Sequence, residues 1–350
     1  MTSFLSLEPQ TQAAIIAAVI SVMVAGYNSW TIFRLEKLKG NISDKLAHTK
    51  ARLDEQASAK NARQSYEFDA RKRLYTELEP LLFQLFDAAE GSLFRVKSLV
   101  RTQRNGNLGE GKNSWVDQDG YYLTSTIYRI FLPLAIFRLI QRKTTFIDLN
   151  LDKSIRMRYM LLKQAYFTFT DDFLIAEAVP ELAYDPKDYY DLYERYISEI
   201  DPKCHWKQAL VIGNIDRLLD FMSKSDGERI RPLTYGEFED SIYQNGAILP
   251  SMRASFNLFY KFDFFSRPIL ARILSAHACL MHLLMISYQE ETPSDWRAEV
   301  QRLLNSDEYD LRWWDDEKDD PTTPVIQYLT SRPVWTSLTG PHSKGGGNGS

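Results

Sequence analysis

The chain has 350 residues, of which 44% are hydrophobic, 25% are charged and 13% are aromatic. These values are ordinary for a protein that buries a core, and they exclude a wholly disordered, collagen-like or multi-span membrane protein. The net charge of −4 is too mild to predict a nucleic-acid partner, and two cysteines are too few for a disulfide framework.

The first predicted element is a membrane anchor over residues 13–33, within an N-terminal segment 1–33. This run contains no charged side chain. As a helix it measures about 31 Å at about 1.5 Å per residue, which matches one hydrocarbon thickness. A cleaved signal peptide is an alternative, but no basic residue precedes Arg34. A soluble or interfacial helix is the other alternative.

The charges on the two sides of this run predict its orientation. Only Glu8 precedes the run, whereas Arg34, Lys37, Lys39 and Lys45 follow it. The positive-inside rule therefore places the N-terminus outside and the C-terminal body in the cytoplasm.

One face of the predicted anchor carries only small residues, which recur at every fourth position. Such a face allows two spans to approach closely, and it favours self-association in lipid. Its members are Ala13, Ala17, Ser21, Ala25 and Ser29.

A basic helical stalk is predicted over residues 34–73, with eleven basic and six acidic residues. Apolar residues recur in steps of three, four or seven, as in a short coiled coil, and Thr49 interrupts the pattern. One amphipathic helix lying along the membrane or the body is the alternative. The predicted seam consists of Ile32, Leu35, Leu38, Ile42, Leu46, Leu53 and Ala57. Glu67/Arg71 and Asp69/Arg73 are i,i+4 pairs that favour helix.

The remainder, residues 74–338, is predicted to form a mostly all-α cytoplasmic domain, followed by a disordered Gly-rich tail over 339–350. Residues 74–100 form a helix that Pro80 kinks or breaks, and 105–120 form a loop. Residues 121–142 form a buried core helix instead of a second span, because Arg129 and Arg138 interrupt the apolar run. Residues 144–151 form a short strand or a linker. Further helices are predicted over 153–178, 188–200, 206–224, 235–245, 252–288 with a kink at Pro268, and 294–305.

Charge is distributed unevenly over this body. Residues 129–163 carry eight basic and two acidic side chains, and this basic surface is a candidate for binding lipid or RNA. Its members are Arg129, Arg138, Arg142, Lys143, Arg156, Arg158 and Lys163. Residues 307–320 carry eight acidic and two basic side chains. Trp313 and Trp314 within this acidic segment are expected to anchor it on a basic surface, within the chain or on a protein partner.

One short pattern is a candidate for catalysis. Arg272 and His277 are separated by four residues on a predicted helix. This spacing resembles the R-x4–6-H motif of the all-helical HEPN ribonucleases. The resemblance covers six residues and implies that both side chains converge on a scissile phosphate across a dimer, where His polarises an oxygen and Arg holds charge. Ile273 stands where that family frequently has a polar residue.

Two other groups of side chains are weaker candidates for chemistry. Cys204, His205, Cys279 and His282 are four donors of the kind that zinc prefers, but adjacent Cys204 and His205 rarely reach one tetrahedral ion. We therefore predict no metal and no cofactor. The carboxylates Asp171, Asp172 and Glu177 are interpreted as helix-surface charge.

The sequence thus favours a membrane-anchored, homo-oligomeric helical scaffold, sensor or membrane-acting effector without an obvious catalytic motif. Its expected partners are the lipid bilayer and a second copy of the chain. A membrane-tethered ribonuclease using Arg272 and His277 is the first alternative. A lipid- or RNA-binding module using the basic surface is the second.

Overall fold

A computed structural model describes residues 8–111, 114–116, 120–144, 148–179, 182, 208–227, 229–244, 247–289, 295–306, 311–314 and 320–332. The protein is mostly helical, which confirms the predicted fold class. It divides into two compact units, Met1–Asp69 and Ala70–Ser350.

Helix α1 extends over Pro9–Arg104 and supplies the first unit up to Asp69. The predicted break at Pro80 is absent, because the helix continues past this residue. Side-chain contacts in the first unit are local to the helix. Arg63 Nε donates to Glu67 Oε1 at 3.0 Å. Glu67 therefore pairs with the arginine one turn before it in the helix, instead of with its predicted partner Arg71 one turn after it.

The second unit continues with α2 (Tyr121–Thr144), a short 3₁₀ turn (Leu149–Leu151), α3 (Lys153–Thr168) and α4 (Asp172–Glu177). The predicted core helix over 121–142 corresponds to α2. The single helix predicted over 153–178 is wrong, because the chain turns between α3 and α4. There the Phe169 carbonyl accepts a hydrogen bond from Leu210 N at 2.8 Å, which takes this carbonyl out of the helical ladder.

Helix α5 (Ile212–Phe221) leads into an antiparallel hairpin, β1 (Ser223–Asp226) and β2 (Arg229–Pro232), which pairs Ser223 with Pro232. Helix α6 (Tyr235–Ile242) follows, and Thr234 and Glu237 form its capping box. A second short hairpin pairs β3 (Tyr243–Gln244) with β4 (Ala247–Ile248). Neither hairpin was predicted, and the helix predicted over 235–245 ends where β3 begins.

Helices α7 (Arg253–Phe259), α8 (Pro268–Ile286), α9 (Trp296–Asn305) and α10 (Thr322–Thr330) complete the described elements. The kinked helix predicted over 252–288 is instead two helices. Arg267 separates them, because its guanidinium donates to the carbonyls of Leu258 at 2.5 Å and Tyr260 at 2.8 Å and so caps the end of α7. Pro268 begins α8, where its missing N–H costs no helical hydrogen bond.

The hydrophobic core of the second unit surrounds α8, in which nearly every side chain is buried. Burying each large apolar side chain stabilises the fold by about 1.5–3 kcal/mol. Fully buried phenylalanines from α2, α6, α7 and the intervening turns fill this core: Phe131, Phe137, Phe169, Phe238, Phe259, Phe262 and Phe264. The helix predicted over 188–200 and the tail predicted over 339–350 lie outside the described residues.

Candidate functional site

Three helices in the described ranges are long and apolar enough to cross a membrane, namely α1, α2 and α8. They differ in how much of their apolar surface is buried inside the protein. The most apolar window of α2 is 78% buried and that of α8 is 94% buried, whereas that of α1 is 0% buried. The apolar window of α1 in the first unit is therefore an exposed apolar surface.

Aromatic side chains mark the C-terminal end of the uncharged run in α1. The rings of Tyr27 and Trp30 lie 6.2 Å apart, and the Arg34 guanidinium sits over the Trp30 ring at 4.4 Å. Trp and Tyr next to a basic residue are typical of the boundary between hydrocarbon and headgroups. The Thr31 hydroxyl donates to the Tyr27 carbonyl, so this polar group is satisfied within the helix.

The small-residue face of the predicted anchor is exposed throughout. Ala13, Ala17, Ser21, Ala25 and Ser29 all lie on α1 and are open to the surroundings. They are therefore free to contact a second span, as self-association in lipid requires.

The predicted coiled-coil seam is also uncovered. Its large apolar side chains remain more than half exposed: Ile32, Leu35, Leu38, Ile42, Leu46 and Leu53. At the interruption, the Thr49 hydroxyl donates to the Lys45 carbonyl at 2.8 Å, so it needs no partner from another helix. A Cβ added at Gly40 would have no neighbour within 4 Å. This seam is therefore open to packing by a second helix.

His277, the proposed catalytic base, is fully buried in α8. Its Nε2 lies 2.8 Å from Ser92 Oγ on α1, and its ring packs against Phe169 with centroids 5.1 Å apart. Nδ1 has no hydrogen-bond partner among the described residues. Burial lowers the pKa of His277 to about 3, so the ring is neutral at physiological pH. These are properties of a core histidine.

Arg272 is likewise buried, with 3% of its surface exposed. Its Nη1 donates to the Pro268 carbonyl one turn earlier at 3.0 Å. Arg272 and His277 thus share a helix inside the core, and their burial does not favour catalysis on an RNA chain. The ribonuclease alternative stays a prediction without support from this geometry.

Of the four zinc-type donors, Cys279 and His282 lie on α8 in the part of the chain that the structure describes. Burial raises the pKa of the Cys279 thiol strongly, so the thiol stays protonated. His282 Nε2 instead lies 2.6 Å from Glu299 Oε1 on α9. Within the described ranges, no three His, Cys, Asp or Glu residues are grouped as metal ligands. Cys204 and His205 lie outside these ranges.

Much of the predicted basic surface is neutralised within the chain. Arg142 Nη2 contacts Asp220 Oδ1 at 2.7 Å, and Arg138 Nε contacts the same oxygen at 3.3 Å. Lys143 Nζ contacts Glu77 Oε2 at 2.6 Å.

Arg158 sits over the Tyr288 ring at 3.8 Å and donates to the Ser287 carbonyl. Arg129, Arg156 and Lys163 are exposed. The segment therefore offers fewer available cations than its sequence indicates, which weakens the lipid- or RNA-binding alternative.

Trp313 and Trp314 are buried in this chain, each with 4% of its surface exposed. Trp313 Nε1 donates to Ser275 Oγ on α8 at 3.3 Å, and its ring packs against Phe264. The two indoles thus pack within this chain, whereas residues 307–310 and 315–319, which carry most of the acidic side chains, lie outside the described residues. Docking of the acidic segment on a basic surface stays a prediction. An external partner would have to draw both indoles out of the core before it could use them.

Asp171 belongs to a buried polar cluster that the sequence did not predict. Tyr328 of α10 donates to Asp171 Oδ2 and accepts from Gln164 Nε2, each at 2.8 Å, and Arg332 forms an ion pair with Asp171. Burial raises the pKa of Tyr328 strongly, so its hydroxyl remains a donor. This cluster holds α10 against α3 and α4. Asp172 and Glu177 have no contact that indicates a catalytic pair with Asp171.

The sequence also did not predict a groove of about 530 Å³ in the second unit. Three elements line it: residues 84–91 of α1, residues 128–136 of α2, and residues 231–234 at the end of β2. The sequence signal for it is a short run of small residues in this part of α1, namely Ala88, Ala89, Gly91 and Ser92.

No protein-family model matches the chain, and neither a curated protein nor a solved structure is detectably similar to it.

Proposed function

We propose that this protein is a single-pass membrane protein, with its N-terminus outside and its helical body in the cytoplasm. In this proposal it self-associates through its anchor and stalk and acts as a scaffold, sensor or membrane-acting effector. One observation carries the proposal. Of three comparably apolar helices, two are covered by the protein and the third, in the first unit, is 0% buried.

The energetics of the uncovered segment favour a bilayer as its cover. Apolar side chains at the centre of a span each contribute about −0.3 to −0.6 kcal/mol to insertion. Residues 13–33 carry no charge to oppose this gain. The backbone is satisfied within the helix, which is the condition for crossing hydrocarbon. Trp30 and Arg34 would lie at the cytoplasmic boundary, which agrees with the orientation predicted from the basic residues.

Self-association follows from the two surfaces that remain open on α1. In lipid, helices associate through small residues that permit close packing, and the face from Ala13 to Ser29 provides them. In water, a seam of half-exposed Leu and Ile is stabilised by burial against a second helix. Both surfaces lie on the same helix, so one parallel pairing would cover them together.

The anchor is tested by fractionation of the full chain with charges introduced at two sites. Ile20→Arg with Val24→Arg places two charges in the uncharged run, where each costs about 2.5–3.5 kcal/mol on insertion scales. We expect this variant to leave the membrane fraction. The matched control, Leu46→Arg with Leu53→Arg, places the same charges in the stalk and should remain with membranes. Equal fractionation of the two variants would contradict the anchor.

Self-association is tested by crosslinking in membranes. Ala17→Leu with Ser21→Leu adds bulk to the small face without adding polarity, so insertion should persist while crosslinked oligomers decrease. The control, Val19→Leu with Met23→Leu, adds no bulky group on the small face and should leave crosslinking unchanged. Unchanged oligomers in the first variant would exclude the small face as an interface.

A further inference from the structure

The groove in the second unit lies between two antiparallel helices that are joined at both ends. Lys143 Nζ contacts Glu77 Oε2 at 2.6 Å at one end, and Arg95 Nη2 donates to Ser125 Oγ at 3.1 Å at the other. The lining residues of α1 and α2 fall between these two contacts along both helices. The groove is therefore a gap inside a fixed helical pair.

The gap exists because α1 presents small residues to it. Ala88 and Gly91 face Leu132 and Ile136 of α2 across the groove. A Cβ added at Gly91 would have no neighbour within 4 Å, so this space is open. Glycine inside a helix costs about 1 kcal/mol relative to alanine, so nothing in helix stability favours it at this position.

The β1–β2 hairpin closes one side of the groove and is held in place there. The Tyr128 hydroxyl of α2 donates to the Leu233 carbonyl at 2.8 Å. Arg231 lines the groove but is neutralised, because its guanidinium pairs with both carboxylate oxygens of Glu237 at 2.7 and 2.8 Å. This pairing keeps the pKa of Glu237 well below its usual range.

Arg129 is the positively charged residue in the groove lining that a ligand can contact. It is exposed on α2, lines the groove, and forms no ion pair with any residue that the structure describes. Asp87 of α1 lines the same groove and is the one carboxylate in its described lining.

Arg95 is a buried positive charge next to the lining residues in sequence, although it does not line the groove itself. It lies one helical turn beyond Gly91, and its partner Ser125 lies one turn before Arg129. Only 5% of its surface is exposed, and its other contact is the face of the Tyr122 ring at 4.9 Å. Its Nε has no hydrogen-bond partner, and no carboxylate pairs with it in the described ranges. A buried cation of this kind is stabilised when an anion arrives nearby.

We propose that this groove binds a small amphipathic anion, with its apolar part over Ala88, Gly91 and Ile136 and its carboxylate or phosphate at Arg129. The volume suits one small molecule. The mostly apolar lining favours an apolar body, and the Arg129 guanidinium, which forms no ion pair with a described residue, favours a negative head. This inference does not depend on the membrane anchor.

The test uses the full chain in a zwitterionic detergent and four probes of similar size. Benzoate and phenyl phosphate carry the negative head, benzyl alcohol is neutral, and benzylamine is positive. Ligand-observed NMR with protein-free detergent as the blank gives the affinities. We expect both anions to bind at least about tenfold more tightly than the alcohol, and the amine to bind more weakly still.

Variants assign this binding to the groove. Gly91→Leu fills the open space and should abolish binding without lowering the melting temperature. Its control, Gly213→Leu, fills equally open space on α5 and should bind normally. Arg129→Gln should weaken anion binding about tenfold, whereas Arg156→Gln, an exposed arginine on α3, should not. Asp87→Asn should strengthen it, because a like charge is removed.

Four results would overturn the proposal. The first is that the anions show no saturable binding to the unmodified chain, and the second is that the alcohol binds as tightly as the anions. The third is anion binding that persists in Gly91→Leu. The fourth is benzylamine binding that is tighter than anion binding and is lost in Asp87→Asn. The last result would assign the groove to cations. In a further experiment the chain is mixed with anionic vesicles. If it binds them equally well with and without Gly91→Leu and does not bind the free probes, its positive charge contacts a membrane surface instead of a small molecule.

Discussion

His277→Gln is the substitution that separates a core histidine from a catalytic one. Glutamine reaches Ser92 Oγ with a polar group of similar length and does not titrate, so it keeps the core contact and removes the proton equilibrium. The proton equilibrium is where the two roles differ. A fully buried His277 has a pKa of about 3. A histidine that exchanges protons with substrate near neutral pH would keep a pKa close to 6.5.

The expected magnitude follows from linkage between proton binding and folding. In the unfolded chain His277 takes up a proton below pH 6.5, whereas in the folded chain it stays neutral until about pH 3. Its contribution to stability is therefore fully present above pH 6.5 and is lost as the pH falls. Between pH 7.5 and pH 5, this single group should cost the fold about 2 kcal/mol.

The assay is equilibrium unfolding of the full chain in detergent at several pH values, followed by tryptophan fluorescence. The carboxylates titrate in both proteins. Their effect therefore cancels in the difference between the unfolding free energies of the unmodified chain and His277→Gln. We expect this difference to grow by about 2 kcal/mol in favour of the variant as the pH falls from 7.5 to 5. RNA cleavage is measured on the same samples. A difference that does not change with pH, together with lost RNA cleavage, would refute the buried, non-catalytic role.

Three further substitutions test the fold and the stalk. Trp313→Ala should cost about 3–5 kcal/mol of stability in chemical unfolding, because it leaves a cavity and removes the indole N–H that donates to Ser275 Oγ; a loss below about 1 kcal/mol would show that the indole does not anchor the segment. Gly40→Ala should stabilise the stalk helix by about 1 kcal/mol and increase the yield of crosslinked oligomers. A lower yield would mean that the glycine is needed for close packing. Lys143→Gln should change stability by less than about 1 kcal/mol, because its ion pair with Glu77 is half exposed, and a larger loss would contradict this assignment.

Long periodic segments were predictable because their signal extends over many residues. The apolar run over 121–142, which two arginines interrupt, led directly to the largely buried helix α2. The mostly helical fold class followed for the same reason. Periodicity also indicated that residues 74–100 are helical, although it could not show that α1 passes Pro80 unbroken.

The errors occur where contacts distant in sequence determine the local structure. Leu210 N takes the Phe169 carbonyl and ends α3, and no pattern within 153–178 contains that partner. Arg267 ends α7 by donating to carbonyls seven to ten residues earlier. The β1–β2 hairpin did have a local signal, the Asp226-Gly227 turn with Gly227 at φ +62°, and sequence reasoning missed it.

Functional sites were harder to predict than helices, because a sequence motif specifies the spacing of its residues but not their burial. Arg272 and His277 have the spacing of a catalytic motif, yet both lie in the core. The basic segment has the composition of a binding surface, yet Asp220 and Glu77 neutralise part of it from other helices. The groove at Gly91 depends on a missing side chain, which carries almost no signal in a single sequence.

We propose that α1 crosses a membrane once and leaves the body in the cytoplasm. The most direct measurement is thiol labelling of the full chain in intact spheroplasts with a membrane-impermeant maleimide. Ser3→Cys should be labelled in intact spheroplasts, whereas the unmodified chain, with only Cys204 and Cys279, should be labelled only after denaturing lysis. Labelling of the unmodified chain in intact spheroplasts, or protection of Ser3→Cys until lysis, would contradict this topology.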